Sequence, residues 1–315
     1  MEIYELQDTR LKHLLDRGEF VVTGEIGAPH GADATLLIER VDIVREFCDA
    51  INVPDNARGV PTMSSTVCAQ YVLQAGAEPV LHITTRDRNR IAIQSDLYGA
   101  FALGVRNILF MSGDHPRFGS HPDAKMVYDL DTLESLSMAK HLSSGLDYAG
   151  DELEGIPEFF LGATINPNDD PIDEHVQRTQ KKREAGAQFF QTQAIFDPSR
   201  LEDFMNRVDS DFIVLAGVIP LRDSEMAKFM NTFVPGIQVP DKFIKRLDDA
   251  GRGLNEDACM VAMKAEGIQI ALETIDLIRG IDGINGLHLM GVGWPESIVA
   301  IVKGSGLYPR PKAER

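Results

Sequence analysis

Short apolar runs recur along the chain, and each gives way to polar residues. Phe20-Val21-Val22-Thr23-Gly24 ends in Glu25, and Ala50-Ile51-Asn52-Val53 leads into Pro54-Asp55-Asn56. Val80-Leu81-His82-Ile83-Thr84 runs into Thr85-Arg86-Asp87-Arg88, and Ile108-Leu109-Phe110-Met111 into Ser112-Gly113-Asp114. Phe159-Phe160-Leu161-Gly162-Ala163 precedes Asn166, and Phe189-Phe190 precedes Gln191-Thr192-Gln193. Between the runs lie stretches of helical period. Leu37, Ile38, Val41, Val44 and Phe47 share one face, as do Ile93, Leu97, Ala100, Phe101 and Gly104, and again Ile268, Ala271, Leu272, Ile275 and Ile278. Gly76, Gly104 and Gly186 stand where a helix ends in a left-handed residue, each a few positions before the next apolar run.

A buried strand, a polar loop, an amphipathic helix and a glycine, repeated, require parallel strands with helical crossovers. Eight strands are predicted, near 20–25, 49–53, 79–84, 107–111, 158–163, 188–193, 212–217 and 286–291. The fold class is therefore α/β, a (β/α)8 TIM barrel with elaborated βα loops, whose chemistry belongs at the C-terminal ends of the strands. One barrel domain is expected over 1–315, with an N-terminal helix at 5–17 and a C-terminal arm at 305–315, loose at its end. The stretch His115 to Pro157 reads as an elaborated loop over the site face, with a helix from Asp131 to Leu142. Segments 235–240 and 248–253 read as a second insertion between helical pieces.

Composition narrows the functional classes. A net charge of −17 repels nucleic acid and anionic lipid, so neither is expected as a partner. Any anionic ligand needs a local basic pocket, for which Arg86, Arg88 and Arg90 or Lys181-Lys182-Arg183 are candidates. No apolar stretch of about 18 residues suggests a membrane span. The acidic start Met1-Glu2-Ile3-Tyr4-Glu5 does not resemble a secretory leader. Cys48, Cys68 and Cys259 are widely spaced and read as three buried thiols, which predicts a cytoplasmic protein without disulfides. The eight histidines do not cluster in sequence, and no metal-binding spacing occurs, so no metal is expected. Rossmann, P-loop and nucleophile-elbow motifs are also missing.

Several polar groups at strand ends carry candidate chemistry. Glu25 precedes Ile26-Gly27-Ala28-Pro29, and desolvation by such neighbours raises a carboxyl pKa toward that of a proton donor; pairing with a strand-end Lys or Arg is the bland reading. Asp114, beside the permissive Gly113, is suited to accept hydrogen bonds from an amidine-like heterocycle edge, or else to cap a helix. Gln193 offers an acceptor and two donors to a heterocycle, or to loop backbone. His82 reads as a core histidine satisfied by hydrogen bonds, or as a group at the mouth. Arg86, Arg88 and Arg90 read as a phosphate cradle or a solvated helix start.

With those residues in view, the chain resembles the methylenetetrahydrofolate reductase family. The resemblance rests on Gly24-Glu25-Ile26 with Pro29, on Gly104-Val105-Arg106-Asn107-Ile108 through Ser112-Gly113-Asp114, on Ala185-Gly186-Ala187 through Thr192-Gln193 to Phe196-Asp197, and on Gly217-Val218-Ile219-Pro220. These run in order over roughly 18–300. The stretch Asp87 to Leu97 is similar to the short reductases encoded beside a zinc or iron–sulfur partner subunit. The resemblance implies a barrel that binds flavin, FAD rather than FMN. Reduced flavin would pass hydride to the methylene carbon of 5,10-methylenetetrahydrofolate, giving 5-methyltetrahydrofolate, or the reverse. It implies Glu25 as general acid, Asp114 as pterin ligand near the flavin, and Gln193 on the pterin edge. It implies flavin contacts from His82, Arg86, Gly113, Asp114, Tyr128, Asn166 and Lys182. The electron donor would be NADH or a reduced carrier partner, in a homo-oligomer or hetero-complex.

The chain departs from that pattern in places. Asn166 replaces an aromatic residue, and His175 an acidic one. Leu221-Arg222-Asp223 follows Pro220 where an aromatic stacks on nicotinamide or folate, and Met290-Gly291-Val292-Gly293-Trp294 replaces an arginine near the eighth strand. Both losses count against direct NADH binding. Trp294 reads as a stacking platform or as packing. Two other functions remain open: a pterin-binding methyltransferase that serves a corrinoid protein, and a non-catalytic interaction subunit.

Overall fold

The computed structural model describes residues 9–234 and 236–312. The strands are β1 (Val21–Glu25), β2 (Ala50–Val53), β3 (Pro79–Thr84), β4 (Asn107–Met111), β5 (Phe160–Ile165), β6 (Phe189–Ala194), β7 (Val214–Val218) and β8 (Ile284–Met290). The helices are α1 (Arg10–Asp16), α2 (Thr35–Val44), α3 (Ser65–Gln74), α4 (Arg90–Leu103), α5 (Thr132–Leu142), α6 (Ile172–Ala185), α7 (Pro198–Met205), α8 (Ser224–Phe233), α9 (Asp241–Gly251), α10 (Glu256–Ile278) and α11 (Glu296–Gly304). All eight strands are parallel and pair in chain order, with β8 closing onto β1, a (β/α)8 barrel. Each predicted strand lies within two residues of an observed one.

The predicted stripes face the barrel wall. Leu37, Val41 and Val44 of α2, Ile93, Leu97 and Ala100 of α4, and Ala271, Ile275 and Ile278 of α10 are all buried. Gly104 takes a left-handed conformation (φ 98°) that a side chain would strain, and so ends α4. Inside the barrel, residues two apart on a strand stack in layers. The lowest layer is apolar: Val21, Ala50, Val80, Leu109, Phe160, Phe189 and Leu215. Leu11, Leu14 and Leu15 of α1 join this cluster. Glu78 accepts from Arg10 N (2.6 Å) and Leu11 N (2.9 Å), fixing the start of α1. Of the helix expected at 5–17, positions 5–8 lie outside the described residues.

Two expectations need correction. The stretch after β4 does not lie wholly over the site face, because Asp131 and Glu134 form a capping box and α5 then packs against β4 and β5. Only the part before α5 touches the mouth; residues after it fold back against α4, where Tyr148 N donates to Gln94 Oε1 (2.8 Å). After β7, α9 continues to Gly251, through part of the segment expected to be loop. Its Phe243 and Leu247 join Ile219, Leu221, Met230 and Ile270 in a second small core outside the barrel. The C-terminal arm is anchored as far as residue 310. Arg310 reaches the lower end of the barrel, where its Nη2 lies 2.5 Å from Asp49 Oδ2 and donates to Phe20 O (2.7 Å). Residues 313–315 of the arm lie outside the described residues. Cys48 and Cys68 are buried as expected, whereas Cys259 is half-buried.

Candidate active site

Above the apolar layer the barrel interior turns polar. Thr23, Asn52, His82, Gln191 and His288 are each at most 4% exposed; the first four lie two residues above members of the layer below, and His288 two above Gly286. They satisfy one another. Asn52 Nδ2 donates to Gln191 Oε1 (2.6 Å) and to His82 Nε2 (2.8 Å). Gln191 Nε2 donates to Thr23 Oγ1 (3.2 Å), which lies 3.0 Å from His288 Nδ1. An amide nitrogen only donates, so His82 Nε2 accepts and its ring proton sits on Nδ1. Burial pushes the His82 pKa down to about 4, so the ring is neutral at neutral pH.

Glu25 and Gln193 lie two residues above Thr23 and Gln191 and stand half-buried at the mouth. His288 Nε2 is 3.6 Å from Glu25 Oε2, an electrostatic contact longer than a formed hydrogen bond. Burial pushes the Glu25 carboxyl up, but His288, with a smaller contribution from His82, outweighs it and holds the carboxyl below its usual range. The sequence predicted the opposite direction. It showed the apolar neighbours of Glu25 but not the histidine delivered from β8.

The β2 and β4 loops meet at the rim. Asp114 Oδ2 accepts from Arg58 N (2.7 Å), and Gly113 is left-handed (φ 84°), with Thr84 3.1 Å from where a Cβ would stand. Arg86 ties these loops together. It is 2% exposed and donates to both Asp87 oxygens, Asp114 O (2.8 Å) and Asn56 O (3.1 Å). Arg88 pairs with Asp55 and Asp96, and Arg90 with Asp129. The expected phosphate cradle is therefore not formed: each guanidinium is neutralised by a nearby aspartate, and Arg86 is a loop clamp that spends four of its five N–H groups on the β2 and β4 loops and Asp87.

The sequence matches the family described as methylenetetrahydrofolate reductase over residues 10–306. The chain belongs to the methylenetetrahydrofolate reductase family. It is 25% identical over 238 residues to methylenetetrahydrofolate reductase 2 of Schizosaccharomyces pombe, covering 72% of this chain and 35% of that protein. It is 25% identical over 274 residues to a probable methylenetetrahydrofolate reductase (NADPH) of Caenorhabditis elegans, covering 82% of this chain and 40% of the relative. The chain thus spans well under half the length of these relatives. Its fold is similar to that of an uncharacterized Clostridium thermocellum protein that binds two copies of 5-methyl-5,6,7,8-tetrahydrofolic acid (TM-score 0.66, 12% identity, 95% of this chain and 100% of that one).

Within this family's barrel, the remaining predicted residues fall in different places. Tyr128 is on the rim, left-handed (φ 43°), with its N donating to Thr85 O (3.3 Å). Asn166 follows β5 and donates to Gly236 O (3.4 Å). Lys182 of α6 donates to Thr164 O (2.6 Å); burial, then the nearby Arg178, push its pKa down to about 8. His82 lies in the layer beneath the mouth rather than on its rim. Leu221 is fully buried in the second core, and Gly267 of α10 packs so closely that a Cβ would stand 1.7 Å from Leu221 O. Trp294 is half-buried, with Lys264 Nζ 5.3 Å from its ring centre. The reading from sequence missed Thr23, Asn52, Gln191 and His288. One signal was available: each is a polar residue inside an apolar run, at inward parity. The histidines scattered in sequence include two, His82 and His288, that share the barrel interior.

Two groups near the strand C-terminal ends are chemically suited to a cofactor carrying anionic or polar groups. Lys182 carries a cation with no carboxylate partner among the described residues. Thr85 Oγ1, just after β3, is buried without a hydrogen-bond partner. Gly113 lets this loop pack against β3, since a Cβ there would stand 3.1 Å from Thr84 and 3.3 Å from Arg86.

Proposed function

We propose that this chain is a flavin-dependent 5,10-methylenetetrahydrofolate reductase, forming or consuming 5-methyltetrahydrofolate. The observation that carries the reading is Glu25, an inward-facing carboxyl at the mouth of a family-matched barrel, set above a hydrogen-bonded polar layer. Gly113, Asp114, Tyr128, Asn166 and Lys182 would hold the flavin, with FAD preferred over FMN. When bound, the flavin supplies the electron pair, as hydride, that reduces the methylene carbon.

The protein's own groups handle the proton and the geometry. Asp114 and Gln193 would orient the pterin edge. Glu25 would deliver the proton that opens the folate's five-membered ring. At rest Glu25 is a carboxylate. A ligand that displaces water from the mouth strengthens the desolvation that already pushes its pKa up, and so favours the protonated acid. His288, held by Thr23, keeps the carboxyl in place.

Leu221 is buried where the family pattern expects a stacking aromatic, which favours electron delivery by a reduced carrier or a zinc or iron–sulfur partner subunit over direct use of NADH. The test is to purify the chain, identify its flavin after denaturation, and assay it with NADH and then with reduced viologen. A flavoprotein that interconverts the two folates is expected, with viologen the faster donor. A colourless protein that binds 5-methyltetrahydrofolate but moves no electrons would overturn the reading.

A further inference from the structure

The rim carries a cation that its neighbours leave unpaired. Arg58, in the loop after β2, adopts a left-handed backbone (φ 58°, ψ 19°), as does Asn56 (φ 46°). Such conformations in non-glycine residues persist only where the surroundings impose them, and they gather at functional sites. Here the surroundings do impose it. Arg58 N is bound by Asp114, Asn56 O by Arg86, and a Cβ on Gly119 would stand 2.2 Å from Gly59 O, so the two loops are in direct backbone contact. The Arg58 guanidinium then crosses toward the β7 side, lying 5.0 Å from the ring centre of Phe229 on α8. That ring is 39% exposed. Arg86, Arg88 and Arg90 are each neutralised by aspartates, but Arg58 has no carboxylate partner among the described residues. The acid one turn before Phe229, Glu225, is paired with Lys228 (2.8 Å).

A planar cation beside an exposed aromatic ring is suited to a ligand that is both aromatic and anionic. Beyond its pterin, a folate is such a molecule, a benzoyl ring ending in glutamyl carboxylates. In a chain of net charge −17, those carboxylates need one local cation to be admitted. We propose that Arg58 and Phe229 form the subsite for the benzoyl-glutamate tail, an inference that rests on the folate reading of the mouth. Asp114 couples the two ends of the site: the carboxylate assigned to the pterin also fixes the backbone of the residue that receives the tail.

The test is calorimetric binding to the flavin-loaded protein of two ligands, 5-methyltetrahydrofolate and 6-methyltetrahydropterin, which lacks the tail. Arg58→Asn keeps a residue that tolerates the left-handed backbone. It is expected to weaken folate binding about tenfold while changing tailless pterin binding less than twofold. Phe229→Ala is expected to act in the same direction and serves if the first variant fails to fold. Equal loss for both ligands, or loss for neither, overturns the subsite and leaves the folate reading standing. Wild-type protein that binds neither ligand overturns the folate reading and the subsite together.

Discussion

At the scale of single residues, the site depends on what His288 does to Glu25. Glu25→Gln keeps the shape and a hydrogen-bonding group but removes the ionisable proton. Turnover is expected to fall by about a hundredfold or more, with 5-methyltetrahydrofolate affinity changed only a few-fold; turnover near wild type would dismiss Glu25 as the acid. His288→Gln tests the coupling. A general acid works only while protonated, so activity falls as pH rises through its pKa. Removing the imidazole leaves burial to push the Glu25 carboxyl upward. The alkaline fall in kcat/KM is therefore expected at higher pH in the variant, and an unmoved profile would show that His288 does not set this pKa. The sequence made Glu25, Asp114 and Gln193 visible because each ends an apolar run. It hid the direction of the Glu25 shift, because His288 lies 263 positions away and is delivered only when β8 closes on β1 with Thr23 opposite His288 and Glu25 opposite Met290.

At the scale of elements, strands and helices were legible because their pattern is local, whereas the arm and the insertions were not. A run such as Ile108 to Met111 declares itself by composition, and Gly104 marks the end of the helix before it. Nothing in Tyr308-Pro309-Arg310 announces that Arg310 seals the lower end of the barrel. Asp49 is fully buried and receives Arg310, Arg10 (2.8 Å) and Val22 N (2.8 Å). Breaking a buried pair leaves a charge without compensation, so Arg310→Ala is expected to cost about 3 kcal/mol in urea unfolding. The exposed pair Arg207–Asp203 provides the contrast, for which Arg207→Ala should cost far less, because solvent screens both charges. Equal costs for the two variants would mean that the arm merely lies on the surface.

At the scale of the whole molecule, stability and charge meet in the barrel interior. The polar layer is satisfied only while His82 is neutral, since Asn52 donates to its Nε2. In the unfolded chain this ring titrates near 6.5, but in the barrel near 4. Between those values the unfolded state binds more protons, so stability falls as pH drops through 6.5 and goes on falling toward 4. With a sequence pI near 4.9, the chain approaches zero net charge inside that window, where association would obscure unfolding. The measurement therefore belongs between pH 7.5 and 5.5. Over that interval His82 alone should remove about 1 kcal/mol of unfolding free energy. Carboxylate pairs at the surface titrate lower and are shared by wild type and variant, so comparison with His82→Gln isolates the imidazole. The variant should lose about 1 kcal/mol less than wild type across the interval. If both lose the same amount, protonated His82 must be accommodated in the barrel, and the layer beneath Glu25 would then tolerate a charge that its hydrogen bonds, as arranged, do not stabilise.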